Sequence, residues 1–298
     1  MNFLSHNRLL LQHFSRLNFI LMMCCSAVVH SQDGATQPDL RITWADNLLT
    51  IHGKHFPGEK LEIWYIEAYC RANSHDADWG KQTVIKHSTR IVTAGDDKKI
   101  RLQCKLMDGV IVDHVISAGT DEIDFRITAR NPTRTVSQAH WAQPCIRVGK
   151  FTGLGDPVQS ESYDYLKKSF VFQNGSLQTM PTKDWATKAR YTPGQVWRAP
   201  RVKASDVNPR PLNPNLPDNG LIGCFGRNDR WLLATAWSPY QELFQGVITC
   251  LHSDFRIGGL EPGQTKKIQG KIYILRNDIN GLLNRYREDF PKTKTPTP

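Results

Sequence analysis

The run Ser238-Pro-Tyr-Gln-Glu-Leu-Phe-Gln-Gly-Val-Ile-Thr-Cys-Leu-His-Ser-Asp-Phe255 puts Glu242, His252 and Asp254 among Tyr240, Phe244 and Phe255. A carboxylate and an imidazole held in apolar surroundings are the groups that exchange protons near neutral pH. Val247-Ile-Thr-Cys-Leu251 is short, apolar and β-branched, so it reads as a buried strand with Gly246 before it. His252 and Asp254, two residues apart, leave that strand's end on one side and can pair as a base with its orienting carboxylate. With Glu242 they could instead hold a cation. The bland alternatives are a solvated loop glutamate and a strand-end histidine that caps a loop.

A second block, His140-Trp-Ala-Gln-Pro-Cys-Ile-Arg147, has the same mixed character. The Trp141 ring suits the C–H faces of a sugar, while His140 and Gln143 suit its hydroxyls. A buried tryptophan beside a satisfied histidine is the competing reading. Pro144 disfavours a central strand. Arg71, Arg147 and Arg256 offer guanidinium forks for a carboxylate or sulfate, unless internal carboxylates such as Glu67 or Asp254 take them. The expectation is that the two blocks face one cleft, with Glu242, His252 and His140 catalytic and Trp141, Gln143, Arg147, Tyr240, Asp254 and Arg71 binding substrate.

The elements around these blocks are mostly short strands. Arg41-Ile-Thr-Trp44 and Leu48-Leu-Thr-Ile51 flank a turn at Asp46 and Asn47. Leu61 to Cys70 is apolar on both faces and therefore lies between layers, and a strand follows around Thr83 to Val92. Asp108-Gly109 joins Ile100–Leu106 to Val110–Ile116 as a hairpin. Glu122 to Arg130 alternates, with Ile123, Phe125, Ile127 and Ala129 inward, and Thr265 to Leu275 is again strand-like. The Pro-rich run from Pro193 to Pro217 fits a loop laid over a surface. Asp278 caps a short terminal helix carrying Ile279, Leu282, Leu283 and Tyr286 on one face. The fold class is all-β, a large antiparallel two-sheet sandwich with a short C-terminal helix.

The 298 residues begin with a basic stretch, the short apolar run Leu17 to Val29 and small Ser31, the pattern of a secretory signal peptide. Residues 1–31 are read as that signal, 32–290 as one β-sandwich domain and 291–298 as a disordered tail. Leu21-Met-Met-Cys24 leaves a lipoprotein as the minor alternative. No later segment is apolar and long enough for a membrane span, so the mature chain is expected to be secreted or periplasmic. The full chain carries a formal charge of +10, and +8 once Arg8 and Arg16 leave with the signal. The basic residues are scattered, and export makes nucleic acid the least fitting partner, ahead of which stand acidic polysaccharide and an anionic surface. Seven cysteines less Cys24 and Cys25 leave five, an odd set, with Cys70–Cys104 the preferred bridge. Neither Cys-x-x-Cys nor His-Glu-x-x-His occurs, which argues against a structural zinc site or a zincin; no cofactor is expected, a divalent cation being left open. Gly-x-Ser-x-Gly is absent as well.

Asp121-Glu-Ile-Asp-Phe-Arg-Ile-Thr-Ala-Arg-Asn-Pro-Thr133 and Leu260-Glu-Pro-Gly-Gln-Thr-Lys-Lys-Ile-Gln-Gly-Lys-Ile-Tyr-Ile274 resemble strands of galactose-mutarotase-like proteins, the supersandwich class. Trp64-Tyr-Ile-Glu-Ala-Tyr-Cys-Arg71, His140–Arg147 and Leu251-His-Ser-Asp-Phe-Arg256 also resemble exported proteins of planctomycete-type bacteria. The first resemblance implies a sugar ligand and a pocket of two histidines with a carboxylate base. The expectation is an exported carbohydrate-active protein, binding glycan with acid/base catalysis of lyase, epimerase or hydrolase type. A non-catalytic glycan-binding module or a structural envelope protein is the alternative, and oligomeric state is not readable.

Overall fold

In the computed structural model, which describes residues 39–73, 78–94, 96–154, 165–180, 195–207, 212–246 and 249–291, alternating sequence patterns become two antiparallel sheets. The signal-like segment, most of the C-terminal tail and part of the Pro-rich run lie outside the described residues. In chain order the strands are β1 (Arg41–Ala45), β2 (Leu48–His52), β3 (Lys60–Cys70), β4 (Val84–Ile85), β5 (His87–Ala94) and β6 (Lys99–Leu106). Next come β7 (Ile111–Ala118), β8 (Glu122–Arg130), β9 (Trp141–Arg147), β10 (Ser169–Gln173), β11 (Ser176–Thr179) and β12 (Val196–Arg198). The last are β13 (Ile222–Phe225), β14 (Trp231–Ser238), β15 (Tyr240–Gln245), β16 (Cys250–Arg256) and β17 (Thr265–Arg276). Short helical turns α1 (Gly149–Thr152) and α2 (Tyr165–Lys168) precede β10, and α3 (Ile279–Asp289) follows β17.

The first sheet runs β1-β2-β3-β9-β16-β15-β12, with β4 on β3; the second runs β11-β10-β13-β14-β17-β8-β7-β6-β5. Leu61, Ile63, Tyr69, Ile146, Leu251 and Phe255 of the first face Leu102, Val112, Phe125, Ile127, Trp237 and Ile272 of the second in one apolar core. The two-residue turn of β1–β2 uses Asp46 and Asn47 at φ 50° and 63°, a conformation those side chains tolerate. The all-β two-sheet class and the hairpins at Asp46 and Asp108 agree with the sequence reading.

Helix α3 begins where Asp278 accepts a hydrogen bond from the Gly281 amide at 2.9 Å, and its Leu282, Leu283 and Tyr286 cover the outside of the second sheet. Charge fastens it there. Buried Lys271 meets Glu122, Asp124 at 3.3 Å and Asp289 at 3.3 Å, while Arg285 holds Asp121 at 2.8 Å and also Glu122. Lys271→Met leaves three clustered carboxylates without their common cation. We expect it to cost about 3 kcal/mol, reduced from the fully buried case because the carboxylates are partly solvated, and measured as a fall in urea midpoint.

Four expectations are corrected. The strand read from Thr83 to Val92 is two: β4 pairs with β3, and after Lys86 the chain crosses to the other sheet as β5. Pro144 lies inside central β9, because the ladder is interrupted there on both sides. Pairing with β3 skips from Trp64–Cys145 to Ala68–Gln143, and with β16 from Leu251–Ile146 to Phe255–Ala142, so the missing N–H is not called upon. The strand expected to end at Leu251 runs to Arg256, which puts His252 and Asp254 in its interior; Val247 and Ile248 lie outside the described residues. Cys70 and Cys104 form no bridge: Cys70 sits beside Trp141 outside the first sheet, while Cys104 points between the sheets to Thr89 and His114.

Candidate functional site

Strand geometry assembles the site. Along β16, Leu251 and Phe255 enter the core, so Cys250, His252 and Asp254 share the opposite face. On neighbouring β9, Ala142 and Ile146 enter the core, which turns Trp141, Gln143, Cys145 and Arg147 to that same outer face. On the other side, Leu243 of β15 is core and Phe244 pairs with His252. The two sequence blocks therefore do lie side by side, on adjacent strands.

At the centre stands His252. Its ring stacks on Phe244 with centroids 4.3 Å apart and planes 4° from parallel, which fixes its orientation. Nε2 is 3.3 Å from the Cys250 sulfur and Nδ1 is 3.6 Å from Asp254 Oδ1. Cys145, one step beyond the Leu251–Ile146 pair, brings its sulfur within 4.8 Å of both the Cys250 sulfur and the ring. Glu242 and Asp254 are each 0% exposed and His252 2%.

Such burial displaces the proton affinities. Burial alone would lift the Cys250 thiol, but hydrogen bonding from Cys145 and the His252 charge bring it down to about 5. Burial alone would lower His252, but the Cys250 thiolate and Asp254 raise it to about 10. The two shifts depend on one another: the sulfur and the ring at 3.3 Å each favour the partner's charged form. Burial raises Asp254 to about 7 against the pull of His252. Glu242 is held well above the carboxylate range by burial and by the charges of Asp254 and Asp206.

The Glu242 and Asp254 carboxylate oxygens, Gln143 Oε1, His252 Nδ1, Trp141 Nε1 and Arg147 Nε are all buried without a hydrogen-bond partner. Few buried polar atoms stay unpaired in folded proteins, so a concentration on one sheet face singles that face out as polar within its surroundings. The segment after β12 lies over it: Ala199, Val202 and Val207 pack on Phe244 and Val196. Asp206 pins that segment by accepting from Arg256 Nη1 at 2.9 Å and from the Asn73 amide at 3.1 Å, and its carbonyl takes the Gln241 amide at 2.6 Å.

Other expected site residues are placed differently. His140 precedes β9 with Nδ1 3.8 Å from Asp206, opposite the Arg256 end of β16. That is four residues along the strand from His252, roughly 13 Å at ~3.3 Å per residue, so His140 belongs with Asp206 and Arg256. Arg71 donates to Gln138 Oε1 at 2.8 Å and to the Val84 carbonyl at 2.7 Å, a structural tie. Trp141 is enclosed with Ala68 and Cys70, its ring 6.4 Å from Trp79, and offers no open stacking face. Tyr240 packs against the core and the covering segment. Sequence reasoning passed over Cys145, Cys250 and Asp206. The alternation Cys250-x-His252-x-Asp254 was a usable signal for one of them; Cys145 and Asp206 arrive only through cross-strand and loop contacts.

No family model matches the chain, and no curated protein matches it. Among solved structures it is similar to a galactose mutarotase-like protein from Lactobacillus casei ATCC 334, with 9% identity, 79% of this chain and 100% of that chain covered, and a TM-score of 0.40. It is similar also to a galactose mutarotase related enzyme from Lactobacillus acidophilus, at 5% identity, 80% and 98% coverage and a TM-score of 0.39. A third is galactose 1-epimerase from Lactobacillus acidophilus NCFM, at 8% identity, 80% and 98% coverage and a TM-score of 0.33. The resemblance to exported planctomycete-type proteins gains no support from them. The chain is an all-β antiparallel sandwich of two sheets.

Proposed function

We propose that the outer face of the first sheet binds a carbohydrate and that Glu242 exchanges protons with it, in an exported carbohydrate-active protein. One observation carries the reading: unpaired buried polar atoms gathered on β9, β15 and β16, rich in acceptors from Glu242, Asp254 and Gln143. Sugar hydroxyls donate and accept at close spacing, so a polyol can complete such a set, and pairing these atoms recovers the cost of leaving them bare. Burial raises the proton affinity of Glu242, which suits it to give a proton to a leaving or ring oxygen. Arg147 and Gln143 fit the binding role, and Arg147 suits an acidic sugar. The reaction class is epimerase, lyase or hydrolase.

A second reading is favoured by one fact, the closure of Glu242, His252 and Asp254 to solvent: an envelope component in which these groups are structural. Saturation-transfer NMR against neutral sugars and uronic acids, with product formation followed in the same samples, separates the two. Glu242→Gln is expected to lower turnover about 10²–10⁴-fold while affinity stays nearly intact. If no saccharide binds the wild-type chain, the carbohydrate reading falls. For export, the mature N-terminus should be found near Gln32 by sequencing the protein recovered from outside the cytoplasm; recovery with Met1 intact contradicts it.

A further inference from the structure

The sulfurs of Cys145 and Cys250 and a ring nitrogen of His252 converge within 4.8 Å of one another on the outer face, all three side chains buried. We propose that they bind one thiophilic d10 cation, of which Zn²⁺ is the first to test. Two thiolates and an imidazole are the donors such ions prefer over oxygen donors. The site extends the carbohydrate reading without resting on it.

Several features of the fold fit a metal better than they fit packing. Nε2 faces the sulfur side at 3.3 Å from Cys250, while Nδ1 faces Asp254 Oδ1 at 3.6 Å. Metal-bound histidines commonly give their second nitrogen to a carboxylate, which sets tautomer and direction. Nδ1 and both Asp254 oxygens have no other hydrogen-bond partner, so this carboxylate is available for that duty. The Phe244 stack holds the ring in plane. Gly246 closes the far side, where a Cβ would lie 2.4 Å from the Cys250 sulfur and 3.2 Å from His252 Nε2, so only glycine leaves the donors their present positions. The register of β9 against β16, the same on both sides of Pro144, sets Cys145 opposite His252.

Three protein donors leave a fourth position of a tetrahedral ion open to water or substrate. On binding, Cys145 gives up one proton to solvent and the Cys250–His252 pair gives up another, so that both sulfurs and Nε2 donate electron pairs to the cation with no change of oxidation state. Asp254 acts through His252 and is a positioning residue.

Reduced full-length protein, given Zn²⁺ and desalted, should retain one zinc per chain by elemental analysis. Co²⁺ in its place should show thiolate-to-cobalt charge transfer with the visible bands of a tetrahedral ion. Cys145→Ser and Cys250→Ser should each abolish both signals, Cys224→Ser should leave them unchanged, and Asp254→Asn should weaken Zn²⁺ affinity about 10–100-fold. Zinc retention far below one per chain in wild type, or retention unaffected by the paired Cys145→Ser/Cys250→Ser change, overturns the proposal. So does a Cys145–Cys250 disulfide that, once reduced, yields thiols retaining no zinc. The wild-type readouts do not depend on any variant folding. They are also separate from the sugar assay, so loss of saccharide binding with zinc retained sinks the carbohydrate reading alone.

Discussion

Gly270→Ala should destabilise the fold by about 3 kcal/mol, at the upper end of what overpacking a core costs. Gly270 sits mid-β17, paired with Phe125 of β8 on one side and Trp237 of β14 on the other. The two rings close over the glycine with centroids 5.1 Å apart, and Trp237 in turn packs on Phe255 of the opposite sheet at 4.9 Å. An added Cβ would stand 2.2 Å from Trp237 Cε3 and Cζ3, and the buried indole has Phe125 and Phe255 behind it. The glycine thus costs strand propensity locally in order to seat a tryptophan in the core. Urea unfolding measures the loss. Trp237→Phe should be harmful in the wild type yet less so beside Gly270→Ala, because the smaller ring makes the room; strictly additive effects would refute this account.

Position 270 also shows where sequence reading stops. Thr265 to Leu275 is legible as a strand because alternation depends only on neighbours along the chain, and the same holds for Glu122–Arg130 and for the turns at Asp46-Asn47 and Asp108-Gly109. Which residue faces which across strands is set by register, and register is a tertiary property. Hence Glu242, His252 and Asp254 were readable as a group, being near in sequence, and so was the company of the two blocks. The thiol of Cys145 opposite His252 was not, nor was Asp206 as the clasp of the covering segment. Pro144 misled for the same reason: the rule against proline in a central strand assumes an unbroken ladder, and this ladder breaks at the proline.

That break links fold and site. A regular β3-β9-β16 pairing would satisfy the backbone throughout; here the skipped stretches fall between Trp64 and Ala68 on β3 and between Leu251 and Phe255 on β16. His252 and Asp254 lie inside the second of them. Irregular pairing re-aims side chains, so the place where the sheet departs from ideal geometry is also where its reactive groups collect. The cost of burying them unpaired has to be met by other interactions, in keeping with the dense core between the sheets.

One buried polar group in that core is expected to control acid stability. His114 of β7 lies between the sheets, with the Tyr65 hydroxyl 2.7 Å from Nδ1 and the Tyr69 hydroxyl 3.0 Å from Nε2. A neutral imidazole has one donor and one acceptor, so one tyrosine donates and the other accepts; a second ring proton would break the first of these bonds. Burial, with a lesser contribution from His87, pushes its pKa from 6.5 down to about 3. Between those values the unfolded chain takes up a proton that the folded chain refuses, so stability is fully present above pH 6.5 and falls as pH drops. The slope is about 1.4 kcal/mol per pH unit, approaching roughly 5 kcal/mol in all by pH 3. Wild type and His114→Gln should therefore be compared by urea midpoint at pH 7.5, 5.5 and 4.5. The variant should be weaker at pH 7.5, having lost the fitted ring, but should decline less steeply towards acid. Parallel decline of the two proteins would show that carboxylates elsewhere, and not this histidine, set the acid limit.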